Sequence, residues 1–203
     1  MQAYLAVSEI IDWQNPEIIE LASHIASIHQ ATEAIAKACF EWVRDEIYHS
    51  RDYQMNPVTY RASDVLTYKT GFCFAKSHLL AALLRANQIP AGLCYQRLSM
   101  DNSPFSKKVS IDLPCTLHGL NAVFLPKFGW YRIDARGNKQ GVNAQFIPPQ
   151  KQLAFEIQLP QEADFHHIFA EPLPVVLAAL QNSHTWEEVL VNLPDISVET
   201  WQF

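Results

Sequence analysis

The sequence has no basic leader and no long apolar run. Its N-terminal stretch, Met1 to Ile10, has no basic segment, and Glu9 and Asp12 interrupt its apolar residues. No segment approaches the roughly 18 consecutive apolar residues of a membrane span. We therefore expect neither a signal peptide nor a membrane anchor, and a cytoplasmic location follows as the default expectation.

Positive charge is also scarce. Lys and Arg number 15 against 21 Asp and Glu, so the net charge is -6, and the longest basic run is Lys107-Lys108. Nucleic-acid binding needs concentrated Lys and Arg, so nucleic acid is not an expected partner. The sequence contains neither a Gly-rich phosphate loop nor an Asp/Gly-rich calcium loop. We expect no cofactor.

The cysteines show no CxxC pair. There are four, spread over the chain: Cys39, Cys73, Cys94 and Cys115. In a reducing compartment they should be free thiols, most of them buried as small apolar residues. Acidic and imidazole side chains cluster at Glu162, Asp164, His166 and His167. Their spacing fits no defined zinc motif and the segment has a loop-like composition, so no metal site is predicted.

Apolar residues make up 49% of the 203 residues, enough for one domain over 1–203. Asn15-Pro16-Glu17 predicts a helix start running to about His29, and a second helix begins at Thr32. Residues 48–60 are expected to form loop or irregular extended chain, followed by a short turn at 64–66 capped by Ser63. Residues 73–86 are strongly helical and apolar almost all round, which predicts a buried central helix ended by Pro90.

The pattern changes after Pro90. Residues 91–98 are typical of a strand, 99–116 of a polar loop, and 117–125 with 130–135 of a β-hairpin. Short helices are predicted near 175–180 and after Thr185. Helices followed by antiparallel strands indicate an α+β fold.

Cys73 differs from the other cysteines because it opens the buried helix just after Gly71, which would allow a tight turn. A helix N-terminus favours an anion, so we expect a lowered thiol pKa and a backbone N–H aimed at an oxyanion. If Leu125 faces Gly129 across a three-residue turn, His118 and Asp134 become diagonal neighbours on one face of the hairpin. Together these residues suggest a nucleophile, a base and an orienting acid.

Each residue also has a simpler interpretation. A cysteine at a helix start can merely be packed, and a strand histidine can be an ordinary core or surface residue. Asp134 lies between Arg132 and Arg136 and could be only their ion-pair partner. The combination of the three favours catalysis.

The sequence resembles the transglutaminase-like superfamily, which has a papain-like cysteine-peptidase architecture. The resemblance rests on three ordered segments: Gly71-Phe72-Cys73 with its helix ending at Ile89-Pro90, then His118-Gly119-Leu120-Asn121-Ala122, then Gly129-Trp130-Tyr131-Arg132-Ile133-Asp134. It covers roughly residues 30–140, leaving 141–203 as an extension expected to pack on this core. Leu120 replaces the family's usual Trp, and Ala135 replaces its Pro, so the substrate does not carry over.

The resemblance implies acyl transfer to water, as in a peptidase or amidase, or to an amine, as in a transglutaminase. The substrate would be a peptide, a protein or a small amide. It also implies a second oxyanion donor upstream of the cysteine, for which Gln54 and Tyr60 are the candidates. Two alternatives stay open: a non-catalytic binding module that retains the fold, and a metal or redox thiol site.

Overall fold

The computed structural model describes residues 1–99 and 114–201, in which most of the helices precede the strands of the main sheet. The helices are α1 (Pro16–Ser27), α2 (Thr32–Glu46), α3 (Ser50–Tyr53), α4 (Ala62–Tyr68), α5 (Cys73–Ala86), α6 (Pro174–Gln181) and α7 (Trp186–Val191). The strands are β1 (Tyr48–His49), β2 (Thr70–Gly71), β3 (Ala91–Ser99), β4 (Cys115–Leu125), β5 (Gly129–Ile133), β6 (Gln145–Ile147), β7 (Gln150–Gln152) and β8 (Ala163–Asp164). The predicted α+β class is confirmed.

Helix α5 lies at the centre, and every residue from Cys73 to Arg85 is buried. It packs against α1, α2 and α4, and against the sheet through β3 and β4. A helix in contact with neighbours on all sides needs apolar residues all round, which explains its lack of a polar face. The prediction of a central, cysteine-bearing helix on a small antiparallel sheet is confirmed.

The main sheet has the order β5-β4-β3-β8, and all its pairs are antiparallel. Strands β4 and β5 form the predicted hairpin, in which Leu125 pairs with Gly129. Gly129 has φ +71°, a backbone conformation that residues with a Cβ rarely adopt. The turn therefore fixes the register that brings the ends of the two strands together.

Some predicted elements were wrong in detail. Residues 48–60 are not wholly loop, because β1 pairs in parallel with β2 and α3 follows directly. Ser63 does not cap α4: it lies inside the helix, and its N–H and hydroxyl donate to Asp12 instead. The predicted polar loop at 99–116 lies mostly outside the described residues. The chain up to Ser99 and from Cys115 belongs to strands.

Residues beyond 140 return to the sheet. Strand β8 extends it through the pair Gln96–Asp164, the Leu117 N–H donates to the Pro194 carbonyl at 2.8 Å, and Arg97 pairs with Asp195. Helices α6 and α7 match the predicted short helices. None of the helices in residues 1–99 and 114–201 combines the length and the hydropathy needed to cross a bilayer.

Candidate active site

Cys73 is held at the tip of α5 by close packing around Gly71. Gly71 pairs with His49 across the two short strands. A Cβ added at Gly71 would lie 3.1 Å from the Ala75 Cβ and 3.2 Å from the Thr59 hydroxyl oxygen. Space, rather than an unusual φ, is thus what requires glycine here. Phe72, the N-cap residue, provides no side-chain acceptor, so the first N–H groups of α5 stay available to an anion.

A second glycine brings strand β4 against the helix tip. A Cβ at Gly119 would come within 2.7 Å of Phe74 Cδ1 and 3.0 Å of the Phe74 Cα. Because no side chain intervenes, the Gly119 N–H donates to Cys73 Sγ at 3.5 Å. A glycine inside a strand is a known sign of close backbone approach, so the sequence contained this signal beside His118.

His118 and Asp134 meet as the hairpin register predicted. His118 Nε2 lies 2.8 Å from Asp134 Oδ2, and both side chains are buried. Cys73 lies close enough to contribute to the electrostatic environment of this imidazole, and its Sγ accepts the N–H of the adjacent Gly119 at 3.5 Å. Burial alone would lower the pKa of His118, but its interactions with Asp134 and Cys73 outweigh burial and raise the pKa to about 10. The imidazole is therefore stabilised in its protonated form.

Asp134 is held by backbone groups as well as by His118. The Arg136 N–H donates to Oδ1 and the Ala154 N–H donates to Oδ2, each at 3.1 Å. Burial would raise the pKa of this carboxyl, but the charge and hydrogen bond of His118 and the two backbone donors lower it. The carboxylate thus stays ionised in a buried position.

The extension supplies part of this environment, which sequence reasoning missed. The ring of Phe155 contacts the His118 imidazole edge-on, and the Arg136 guanidinium lies over the same ring. Arg136 also forms a bidentate pair with Asp52, at 2.7 and 3.0 Å. Residues 154 and 155 carry no motif and no periodic pattern, so no local signal could have identified them.

Neither of the two candidates for a second oxyanion donor, both within the described residues, forms a hydrogen bond with the Cys73 thiol. Gln54 is exposed at the end of α3. Tyr60 is half-buried, and its backbone carbonyl contacts His78 Nδ1 at 2.7 Å. His49 is buried against Phe72.

The acidic and imidazole cluster near 162–167 serves the fold. Glu162 accepts backbone N–H groups of Ser99, Gln158 and Leu159, while Asp164 pairs with Arg132. Within the part of the chain that the structure describes, no three His, Cys, Asp or Glu side chains group in a way that could hold a metal.

Solved structures of other proteins resemble part of this chain. A candidate cysteine protease from Cytophaga hutchinsonii is 20% identical, with a TM-score of 0.49 over 66% of this chain and 40% of that chain. The periplasmic domain of TgpA from Pseudomonas aeruginosa is 22% identical, with a TM-score of 0.44 over 60% of this chain and 42% of that chain. The present chain thus spans about two fifths of the length of either structure.

Among curated proteins, no significant match was found. The family model described as the transglutaminase-like superfamily matches residues 19–135, more than half of the chain. This region contains the tip of α5 and the hairpin that carries His118 and Asp134. The chain belongs to the transglutaminase-like superfamily.

Proposed function

We propose that this protein catalyses acyl transfer at an amide or ester carbonyl. Cys73 is the nucleophile, His118 the base and then the acid, and Asp134 the residue that orients His118. The observation that carries the proposal is that the three residues meet in one buried site: His118 hydrogen-bonds Asp134 at 2.8 Å, and the N–H of Gly119, next to His118, reaches Cys73 Sγ at 3.5 Å.

The chemistry follows from this geometry. The Cys73 thiolate attacks the carbonyl carbon, and the oxygen gains negative charge near the free N–H at the start of α5. As the tetrahedral intermediate collapses, the carbon–nitrogen bond breaks, His118 gives its proton to the leaving amine, and a thioester remains on Cys73. Water or an amine then attacks the thioester, His118 takes the proton of the attacking group, and the carbon–sulfur bond breaks to release the Cys73 thiolate.

Asp134 supports both proton transfers without giving up a proton itself. Its charge favours the imidazolium form of His118, and its Oδ2 atom binds Nε2 of the ring, which leaves the other nitrogen for the proposed proton transfers. Gln54 and Tyr60 remain the sequence-based proposals for the second oxyanion donor.

The test compares Cys73→Ala with Cys94→Ala on a panel of peptide amides and esters, with and without an added primary amine. We expect Cys73→Ala to abolish turnover and Cys94→Ala to keep it, since Cys94 is buried in a separate apolar cluster. Incorporation of the amine indicates a transglutaminase reaction, and free acid indicates hydrolysis. Unchanged turnover in a folded Cys73→Ala variant would refute the mechanism.

The competing function is a binding module that keeps the fold without chemistry. An activity-based thiol probe separates the two possibilities, because it modifies only a nucleophilic cysteine. Folded wild-type protein that the probe leaves unmodified would favour the binding module.

A further inference from the structure

A cavity of about 730 Å³ adjoins the His118 side of the site. Its wall includes Gln96 and the chain segment 153–158. Two of its lining residues contact the candidate catalytic pair directly: the Ala154 N–H donates to Asp134, and the Phe155 ring packs against His118. The segment lies beyond the family match at 19–135, so this cavity is a feature that the extension adds to the core.

Gln96 is the most informative residue in the wall. It pairs directly with His118 across β3 and β4, and its side chain is only 2% exposed. Among the residues that the structure describes, no group hydrogen-bonds its Oε1 atom. A buried acceptor without a donor is costly, so its presence in a cavity wall indicates that a ligand supplies the donor.

The wall of the cavity also offers unused backbone groups. The N–H and carbonyl groups of Phe155, Glu156 and Ile157 form no hydrogen bond within residues 1–99 and 114–201. Three successive free peptide groups can pair with the main chain of another peptide, as an exposed strand edge does. The volume also suits a ligand of several residues better than one small amide.

The charged residues that line the cavity restrict the charge of the peptide that it can bind. Lys151 and Asp164 line the cavity but neutralise each other, with their charged atoms 3.0 Å apart. Glu156 adds one negative charge to the lining. The cavity therefore suits a neutral or basic peptide and disfavours an acidic one.

The position of the cavity fixes which part of a substrate it would hold. In the proposed reaction, His118 protonates the leaving nitrogen and later deprotonates the acceptor, so the amine side of the substrate lies beside its ring. We propose that this cavity binds a neutral peptide main chain on the amine side of the reacting carbonyl, with Gln96 accepting one of its N–H groups. The choice of side rests on the proposed function.

The test uses two electrophiles with the same reactive group. Iodoacetamide is the small probe, and N-iodoacetyl-Ala-Ala-Ala-amide carries a neutral tripeptide on the amine side of its carbonyl. The rate of Cys73 alkylation by each probe is measured by peptide mapping, and the ratio of the two rates reports peptide binding. We expect the tripeptide probe to react at least about tenfold faster in the wild type, since several hydrogen bonds contribute.

Gln96→Met is the decisive variant, and Gln161→Met is its control. Gln161 also has buried, unpartnered amide atoms in the described chain, but it does not line the cavity. Gln96→Met should lower the rate ratio about threefold to tenfold, as expected for one lost hydrogen bond, and Gln161→Met should not. Gln96→Met removes an unpaired buried acceptor, so the variant should unfold at the same temperature as the wild type or at a higher one. If Gln96 only supported the fold, the variant would unfold at a lower temperature.

The outcomes separate this inference from the proposed function. A wild-type ratio near one, or a ratio that Gln96→Met leaves unchanged, would overturn the peptide site. Slow alkylation of Cys73 by both probes, with a high and Gln96-dependent ratio, would refute the thiol mechanism and leave the peptide site standing.

Discussion

The Phe155 ring stands edge-on to the His118 imidazole, with ring centres 5.1 Å apart and ring planes at 89°. Phe155 thereby restricts the rotation of His118, while Asp134 binds its Nε2 atom. A ring held by packing on one side and by a hydrogen bond on the other is kept in one orientation. The extension thus contributes to positioning the proposed base.

Replacing Phe155 should therefore impair turnover more than folding. We expect Phe155→Leu to lower kcat about threefold to tenfold, the range expected when one aromatic contact is lost. Phe124→Leu is the matched control, because Phe124 forms a similar edge-to-face pair with Trp130 away from the triad. Equal losses in the two variants would mean that Phe155 acts only through stability.

Asp134→Asn should nearly abolish turnover. The neutral amide cannot stabilise the imidazolium of His118, and we expect kcat to fall by at least about a hundredfold. Asp45→Asn provides the control, since Asp45 pairs with Arg44 at the surface. A folded Asp134→Asn variant with wild-type kcat would show that His118 needs no carboxylate.

The same variant should change how stability depends on pH. The pKa of His118 is raised from 6.5 to about 10, so its proton stabilises the folded state fully below pH 6.5, and this contribution is lost as the pH rises toward 10. Urea unfolding at about pH 6, 8 and 10 should show the free-energy difference between wild type and Asp134→Asn shrinking with pH.

Wild type must be compared with Asp134→Asn because Lys76 changes the pH dependence of stability in the direction opposite to His118. Burial and the nearby Arg136 lower the pKa of Lys76 to about 7, so its contribution makes the fold more stable as the pH rises from 7 toward 10.5. The Asp134 charge raises the pKa of Lys76, so this contribution cancels only in part when wild type and Asp134→Asn are compared. A difference that stays constant from pH 6 to 10 would contradict the assigned shift of His118.

Iodoacetamide should modify Cys73 well before the other cysteines at neutral pH. Burial raises the pKa of Cys39 to about 12 and that of Cys94 to about 11, so both remain unreactive thiols. Cys115 is the internal control, because it is 9% exposed against 7% for Cys73 and its pKa is also raised by burial. Peptide mapping over time should give a rate at Cys73 at least about tenfold faster than at Cys115, because Cys73 lies at a helix N-terminus beside an imidazole.

His118→Ala then isolates the cause of that reactivity. Removing the imidazole should slow labelling of Cys73 toward the rate of Cys115, while Cys115 itself should not change. Equal labelling of the two cysteines in the wild-type protein would argue against a thiolate at the helix tip.

Arg85 should be the most sensitive structural position of α5. Its fully buried guanidinium donates to the carbonyls of Ala6, Ala91 and Ala170, which joins the N-terminal segment, β3 and the extension. Arg85→Lys cannot reach three such acceptors at once, so we expect unfolding free energy to fall by about 3 kcal/mol. The exposed Arg51→Lys should change it by less than about 0.5 kcal/mol in the same urea titration.

Local patterns were sufficient to predict the parts of the site that lie in regular elements. The helix at Cys73 follows from apolar residues and Pro90, and the His118–Asp134 contact follows from the turn at Gly129, since each depends on neighbours in sequence. The cavity segment at 153–158 and the pairing of His49 with Gly71 depend on distant partners. No periodicity marks such contacts, so the sequence contains no local signal for them.

The N–H of Ala154 reaches Asp134 from outside the region shared with the family, which ends at residue 135. The shared region therefore does not contain every contact of the site. Grafted alone onto another scaffold, it would leave the Asp134 carboxylate without the Ala154 N–H. Recombination between family members would have to exchange residues 136–158 together with the hairpin to keep that donor in register.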